Sequence, residues 1–301
     1  MHKTSKVKVS KISGVYECFE PAQSQPIIFD SPHSGTIYPD DFNYACDFKD
    51  LERAEDKYVE ELFNAAPDHG ASFLHALFPR SYLDVNRADD DIDEELLSEP
   101  WPKDEQAINP TNRSHAGIGL IRRLVKPGVP VYGEKLSPAD IQNRIEKYYT
   151  PYHEALENLI KTAHYNFGQS YHINCHSMPS AVSKNSFTRI NPFQSPDFVL
   201  GDRNGTSCDL TFTHALRDFL KSKGYKVAIN DPYKGVELVE RYSAPATGRH
   251  SIQIEICRSL YMNEITCQKS KNFNKLQSDI TDLISFISDY AKSNLTDLAA
   301  D

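Results

Sequence analysis

The sequence lacks the features that mark membrane-spanning and nucleic-acid-binding proteins. No run of about 18 apolar residues occurs, so no transmembrane helix is predicted. Basic residues are in deficit, since 33 Lys+Arg against 42 Asp+Glu give a net charge of −9. Nucleic acids and anionic membranes are bound through basic surfaces, so we expect neither as a partner. The basic first ten residues are not followed by an apolar stretch, which predicts no signal peptide and a cytoplasmic protein.

Several local catalytic signatures are also missing. The six cysteines have no C-x-x-C spacing, which favours reduced thiols over the three disulfides that the even count would allow. No Gly-x-Ser-x-Gly turn occurs, and Gly201-Asp-Arg-Asn-Gly205 lacks the Lys-Ser/Thr of a phosphate-binding loop. The acidic residues 89–106 fail as an EF-hand because Glu94 stands where glycine is needed. We interpret this segment as a solvated loop, with a lid as the alternative.

The remaining sequence alternates short β-rich runs with amphipathic runs of helical length. Strands are predicted at residues 26–30, 81–86, 119–122, 171–175, 196–201, 225–229 and 251–256. Helices are predicted at residues 47–66, 137–165, 207–223 and 270–292. Strands separated by helices predict an α/β fold with a mixed or largely parallel sheet.

Polar side chains recur at the ends of these predicted strands. His33 follows the first strand, the pair Asn86-Arg87 follows the second, His176 follows another, and Glu255 lies near the end of the last. In α/β sheets, ligand sites lie at the carboxyl ends of strands. The sequence therefore predicts an active site at one edge of the sheet.

Two of these residues have the chemistry of metal ligands. His33 and His176 would supply two of the three protein ligands of a catalytic zinc, with a carboxylate of Glu55 or Asp56 as the third and a fourth position open to water. The spacing is looser than that of H-E-x-x-H, and the alternative is that both are structural loop histidines. His172 is interpreted as a hydrogen-bonded core residue.

The other strand-end residues also allow two interpretations each. Asp84 and Asn86 share one face of the predicted strand, with Arg87 at its end. They form either a surface ion pair or an amide and a guanidinium directed at a carboxylate or an oxyanion. Glu255 would act as a general base beside a metal-bound water. Without a metal, it would be a buried ion-pair partner of Arg258.

Six motifs occur in one order between residues 26 and 264. They are Asp30-Ser-Pro-His33-Ser-Gly35, Glu55-Asp56-Lys-Tyr-Val59-Glu-Glu-Leu62, Asp84-Val-Asn86-Arg87, His176-Ser-Met-Pro179, Gly201-Asp-Arg203 and His250-Ser-Ile-Gln253-Ile-Glu255. The set resembles the N-formylglutamate amidohydrolase family. That family is similar in fold to zinc carboxypeptidases and aspartoacylases, which implies three layers with a central mixed sheet flanked by helices. Because the motifs must converge on one site, residues 1–301 are expected to form a single catalytic domain.

The resemblance also implies a role for individual residues. A Zn²⁺ ion, or another divalent transition metal, is expected on His33, Asp56 and His176. Glu255 is the expected catalytic carboxylate, and Asn86 with Arg87 is expected to hold substrate near the scissile bond, with Arg87 also stabilising the oxyanion. Contacts to the carboxylates of the substrate are expected from Arg203, Arg241 and His250.

Two positions depart from the pattern that the resemblance implies. Asn174 stands two residues before His176, where an acidic residue is expected, and a neutral neighbour there would lower metal affinity. Lys234-Gly-Val236 replaces an expected Gly-Gly loop. The change in this loop bears on which substrate is bound more than on which reaction is catalysed.

The expected reaction is hydrolysis of a small dicarboxylic N-acyl amino acid. N-formyl-L-glutamate would yield formate and L-glutamate, as a step of amino-acid catabolism such as histidine degradation. One alternative is a zinc hydrolase of another N-acyl amino acid or a small peptide. Another is a non-catalytic protein that binds an anionic metabolite. The sequence does not indicate an oligomeric state.

Overall fold

The fold is organised around an eight-stranded mixed sheet, seen in a computed structural model that describes residues 7–180 and 195–298. The strands are β1 Lys8–Ile12, β2 Tyr16–Glu20, β3 Ile27–Ser31, β4 Ser72–Ala76, β5 Leu124–Lys126, β6 Val129–Pro130, β7 Ser170–Met178, β8 Phe198–Gly201, β9 Val227–Ile229, β10 Arg249–Cys257, β11 Met262–Asn263 and β12 Gln268–Lys269. The helices are α1 Phe48–Ala54, α2 Val59–Leu62, α3 Asn112–His115, α4 Pro138–Arg144, α5 Thr150–Phe167, α6 Leu210–Ser222, α7 Glu237–Arg241 and α8 Phe273–Leu298.

The sheet has the strand order β1-β2-β4-β3-β7-β10-β8-β9. Its centre, β4-β3-β7-β10, is parallel, while β1 and β2 pair antiparallel on one side and β8 runs antiparallel to β10 on the other. Two further strand pairs, β5-β6 and β11-β12, lie outside this sheet. Among residues 7–180 and 195–298, no helix combines the length and the apolar character needed to cross a bilayer.

Helices cover both faces of the sheet. One face buries its apolar side chains against α2, α6 and α8, and the other packs against α1, α4 and α5. The apolar stripe predicted for residues 270–292 is buried on α8, which begins at Phe273. The predicted α/β class, with a central mixed sheet between two helical layers, is therefore confirmed.

The parallel centre of the sheet has one apolar and one polar face. On β7 and β10, Ile173 and Ile254 join the core beneath α6 and α8. The alternate positions are polar, and the parallel register sets Gln253 opposite Asn174 and Glu255 opposite His176. Because side chains alternate along a strand, this arrangement collects polar groups on the α5 side.

A buried carboxylate joins these polar positions deep in the sheet. Asp30 of β3 accepts hydrogen bonds from His172 Nε2, from Asn174 Nδ2 and from the Tyr152 hydroxyl of α5, all at 2.8 Å. His172 Nδ1 lies 2.7 Å from the Ser251 hydroxyl. The prediction of His172 as a hydrogen-bonded core residue is confirmed.

Two predicted strands are wrong. Residues 81–86 and 119–122 form no sheet strand, and they run against each other through a hydrogen bond from the backbone N–H of Asp84 to the carbonyl of Leu120. Asp84 Oδ1 also accepts from the backbone N–H of Asn86 at 3.0 Å, which turns the chain. The alternation of polar and apolar residues in 81–86 therefore reflects a folded loop, where short polar side chains bond to nearby backbone groups.

The predicted helix over residues 47–66 is interrupted. Helix α1 ends at Ala54, and Tyr58 adopts a left-handed conformation with φ of 68° before α2 begins. At the break, the backbone N–H of Asp56 donates to the carbonyl of His33 at 3.0 Å. This bond draws Asp56 away from a helical path and toward the end of β3.

The acidic loop over residues 89–106 is only partly solvated. Asp91 and Asp93 are buried. Asp91 accepts hydrogen bonds from Thr111, and Asp93 pairs with Arg123 at 2.6 Å. The prediction of a solvated loop is therefore wrong for these two residues, because their carboxylates serve as internal acceptors.

Candidate metal centre and its cavity

Two imidazoles and a carboxylate meet at the polar edge of the sheet. His33 follows β3, Asp56 occupies the break between α1 and α2, and His176 lies near the end of β7. One ligand-capable atom from each residue lies within 4.8 Å of those of the other two, and all three side chains are buried. Three segments that are distant in sequence thus form the kind of cluster that could hold a metal ion.

The hydrogen bonds around the cluster fix which ring nitrogens face inward. Asp56 Oδ2 lies 3.1 Å from His176 Nδ1 and 3.5 Å from His33 Nδ1. On the outer side, His33 Nε2 donates to Asp84 Oδ1 and His176 Nε2 donates to Asn174 Oδ1, both at 2.6 Å. An outer acceptor that holds the proton on Nε2 leaves the Nδ1 lone pair available to a metal.

One buried atom of this cluster lacks a hydrogen-bond partner. His33 Nδ1 is enclosed and makes no hydrogen bond with the described residues. A buried polar atom without a partner is unfavourable unless it binds something else. Two imidazole nitrogens and one carboxylate oxygen form a donor set typical of catalytic zinc sites, so the residues fit a divalent transition metal.

Asp56 is held as a carboxylate by its neighbours. Burial opposes ionisation, yet the adjacent imidazoles of His176 and His33, together with the guanidinium groups of Arg80 and Arg258, lower the pKa of Asp56 well below its ordinary value. Arg258 donates to Asp56 Oδ1 at 2.8 Å, which leaves Oδ2 facing the imidazoles.

Glu55 turns away from the cluster, so the two candidate carboxylates are separated by the fold. The Tyr38 hydroxyl donates a short hydrogen bond to Glu55 Oε1. Of the two carboxylates considered from the sequence, only that of Asp56 lies against His33 and His176.

Glu255 lies beside the cluster on the neighbouring strand. It is opposite His176 in the β7-β10 register, it is 7% exposed, and it lines the central cavity. Gln253 Nε2 donates to Glu255 Oε1 at 2.8 Å. Burial, above all, raises the pKa of Glu255 to about 7. The ion pair of Arg258 is made with Asp56, so the alternative of a Glu255–Arg258 pair is not what the fold forms.

The cluster opens into a cavity of about 360 Å³ with a basic lining. The acidic lining residues are Asp50 and Glu255. The basic lining residues, apart from histidine, are Arg53, Arg80, Arg87, Arg113, Arg122, Lys126, Lys234 and Arg258. A local positive field inside an acidic protein favours an anionic ligand at this site.

Asn86 and Arg87 reach this cavity, as expected. Asn86 Nδ2 lies 3.2 Å from His176 Nε2, while its Oδ1 accepts from the backbone N–H of Leu238 at 3.0 Å. Arg87 is anchored by hydrogen bonds to the carbonyls of Asn86 and Ile118, at 2.8 and 3.2 Å. Burial lowers the pKa of Arg87 to about 10, so its guanidinium stays charged near neutral pH.

Three other predicted substrate contacts do not line this cavity. Arg203 and Arg241 each pair with a glutamate of α7, at 2.7 and 2.6 Å. His250 lies in the first part of β10, at the opposite end of the strand from Glu255. Their roles stay predictions that the geometry of this cavity does not support.

Sequence reasoning missed the arginines that the fold does bring here. Arg80, Arg113 and Arg122 lie in segments without a recognisable motif. The sequence signal that could have indicated Arg122 is the segment Gly119-Leu-Ile-Arg122, in which a charged residue ends an apolar run.

Comparisons with known proteins agree on one family. The model of the N-formylglutamate amidohydrolase family matches residues 25–262. The chain is 27% identical over 247 residues to an N-formylglutamate deformylase of Pseudomonas putida, covering 79% of this chain and 82% of that protein. A Pseudomonas aeruginosa protein of the same name is also 27% identical, with 79% and 83% covered.

Solved structures give the same result. A crystal structure of N-formylglutamate amidohydrolase from Ralstonia eutropha JMP134 superposes with a TM-score of 0.87 and 40% sequence identity. The match covers 93% of this chain and 99% of that one.

A half-buried carboxyl in α2 generates a prediction about stability. Burial raises the pKa of Glu60 in α2 to about 7, and its Oε2 has no hydrogen-bond partner among the described residues. The folded state therefore binds more protons than the unfolded state between about pH 4.5 and 7, and stability falls as the pH rises through this window. Glu60→Gln should raise the free energy of unfolding at pH 8, by about 3 kcal/mol at most, and much less at pH 5.

Denaturant melts at both pH values measure this difference. Glu61→Gln is the matched control, because Glu61 lies beside Glu60 on the same helix but its side chain is 41% exposed and pairs with Lys269. An equal increase in the free energy of unfolding for Glu60→Gln at pH 5 and pH 8 would show that ionisation of Glu60 does not destabilise the folded state.

Proposed function

The chain belongs to the N-formylglutamate amidohydrolase family, and on this premise we propose that it cleaves the amide bond of N-formyl-L-glutamate to give formate and L-glutamate. The observation that carries the proposal is the convergence of His33, Asp56 and His176 beside Glu255 in a basic cavity. The names of the Pseudomonas and Ralstonia relatives support this substrate. We further propose that the chain forms one catalytic domain, since residues from 33 to 255 supply the same cavity.

We propose that the activity depends on a divalent transition metal, with zinc as the first candidate. His33 and His176, each through Nδ1, and Asp56, through Oδ2, would hold the ion. When bound, such an ion lowers the pKa of a water molecule and polarises a carbonyl group.

Glu255 supplies the acid–base chemistry in this proposal. Its pKa of about 7 lets the carboxylate take a proton from the attacking water near neutral pH. The new C–O bond forms at the formyl carbon as the proton moves to Glu255. Glu255 then gives that proton to the amine nitrogen as the C–N bond breaks. Gln253 donates a hydrogen bond to Oε1 of Glu255, so Oε2 of Glu255 is available for the proton transfer.

Arg87 and Asn86 position the substrate. Arg87 is fixed by two carbonyls and keeps N–H groups free for a developing oxyanion or for the carboxylate next to the scissile bond. Asn86 is oriented by the backbone N–H of Leu238, which turns its amide group toward His176 and the cavity.

The purified protein should release formate from N-formyl-L-glutamate. Chelation of divalent metals should abolish the release, and added Zn²⁺ should restore it. Acetate release from N-acetyl-L-glutamate and cleavage of dipeptides should be slower, as followed by product assays. Faster turnover of either of these would favour the broader N-acyl amino acid or peptide hydrolase. Anion binding without turnover in the metal-loaded protein would identify a non-catalytic binder.

His176→Ala should reduce bound metal from about one ion per chain to a small fraction of that, because two ligands bind a divalent ion far more weakly than three. Metal analysis after dialysis measures the loss. His115→Ala is the control, since His115 is exposed on α3, away from the cluster. Full metal content in His176→Ala would remove this residue from the ligand set.

Glu255→Gln should keep the metal and lose about 10²- to 10⁴-fold in kcat, because an amide of the same shape cannot accept the proton of the attacking water. Metal analysis and formate release are measured on the same sample. Glu134→Gln, an exposed substitution of the same type, should keep full activity. Unchanged kcat in metal-loaded Glu255→Gln would disprove the general-base role.

A further inference from the structure

Arg122 is a buried guanidinium to which no described residue supplies a counter-ion. It is 7% exposed, it lines the central cavity, and its buried Nε atom has no hydrogen-bond partner in the part of the chain that the structure describes. Within residues 7–180 and 195–298, the structure gives it no ion pair. Burying a charged group without a partner is unfavourable, so this arrangement has an energetic cost.

Other cations of the same cavity are compensated inside the protein. Lys126 pairs with Asp50 at 2.6 Å, and Arg80 pairs with Asp84 at 2.8 Å. Arg258 pairs with Asp56 at 2.8 Å and Arg53 with Asp50 at 3.5 Å, while Arg87 bonds to two carbonyls. Arg113 and Lys234 of the same lining also have no ion pair among the described residues, but both are exposed to solvent. Arg122 is buried, so its contrast with the other buried cations indicates that it is kept free for a partner that the described residues do not supply.

The surroundings of Arg122 call for an anion. Burial, together with the positive charges of Arg80 and Arg87, lowers the pKa of Arg122 well below its ordinary value, and the negative charge of Asp84 only partly opposes this. A bound carboxylate would offset the repulsion among the three guanidinium groups. The planar fork of an arginine matches a carboxylate through two parallel hydrogen bonds.

We propose that Arg122 is a specificity-determining residue that receives the side-chain carboxylate of the substrate. This inference rests on the proposed hydrolysis of an N-formyl dicarboxylic amino acid. Arg87 is the better partner for the α-carboxylate or the oxyanion, because it follows Asn86, which contacts His176 of the cluster. Arg122 comes from a separate segment and makes no hydrogen bond with the described residues, so its N–H groups are available for the second carboxylate.

A pair of substrates that differ in one group tests this assignment. N-formyl-L-glutamate and N-formyl-L-glutamine have nearly the same shape, but only the first carries a side-chain charge. Arg122→Met should lower kcat/KM for N-formyl-L-glutamate by about 10²- to 10³-fold, as expected for truncating one partner of a buried charge pair. The value for N-formyl-L-glutamine should change by less than about threefold. Arg122→Lys should fall between the wild type and Arg122→Met for the glutamate substrate, since it keeps the charge without the fork.

Arg123→Met is the matched control, because the side chain of Arg123 pairs with Asp93 and Glu95 and does not line the cavity. It should leave the ratio between the two substrates unchanged. Equal losses on both substrates in Arg122→Met would overturn the proposal and assign Arg122 to the α-carboxylate or the oxyanion.

Binding and stability give readouts that do not need turnover. Metal-free wild type should bind glutarate in calorimetry, and Arg122→Met should weaken this binding at least about tenfold. The Tm of ligand-free Arg122→Met should stay the same or rise, because a buried uncompensated charge is removed. A large fall in Tm with unchanged glutarate binding would overturn the proposal in favour of a structural role.

The turnover and glutarate-binding measurements together distinguish failure of this inference from failure of the proposed function. If the wild type hydrolyses neither substrate but binds glutarate through Arg122, the anion site stands and the proposed hydrolysis fails. If the wild type hydrolyses N-formyl-L-glutamate and Arg122→Met does so equally well, the hydrolysis stands and the role of Arg122 fails.

Discussion

The buried carboxylate of Asp56 is the constraint on which the site depends. A carboxylate without solvent contact is stable only when charged or hydrogen-bonding partners surround it. His33, His176, Arg258 and Arg80 supply them from four separate segments. Arg258 extends the contact by donating also to the carbonyl of Arg53 and to the Ser177 hydroxyl. The guanidinium group of Arg258 thereby links the end of α1, the end of β7 and the turn after β10.

The same constraint explains the charge distribution of the chain. A net charge of −9 predicts that polyanionic partners are disfavoured, but acidic residues near the centre, Asp50, Asp56 and Asp84, form internal ion pairs. Asp56 and Asp84 hold cations and imidazoles in place behind the cavity, whereas the cavity itself is lined mainly by arginine and lysine. The global charge therefore describes the outer surface, and the field at the site has the opposite sign.

The sequence predicted the parts of the site that depend on strand periodicity. His33, His176 and Glu255 were expected at strand ends, and the sheet places them at its polar edge. The break at Asp56 was not predictable from amphipathic spacing, because it is created by a hydrogen bond to the distant residue His33. Propensity describes local preference, and long-range contacts override it.

The position of Arg122 also depends on such contacts. Residues 81–86 and 119–122 run together as irregular segments, and neither segment alone shows that the other will accompany it. Arg203 and Arg241 do not line this cavity, and each pairs with a glutamate of α7. Residue type thus predicted that arginines would line the site, whereas packing decided which arginines do so.

Asn174 shows how a departure from an expected pattern is accommodated. Its Nδ2 donates to the buried Asp30, and its Oδ1 accepts from His176 Nε2. An aspartate here would lose the donor and set two carboxylates 2.8 Å apart, which is unfavourable without a shared proton. The amide instead links the charge of Asp30 to the imidazole of His176. The two imidazoles therefore have unequal outer partners, a direct carboxylate for His33 and one relayed through an amide for His176.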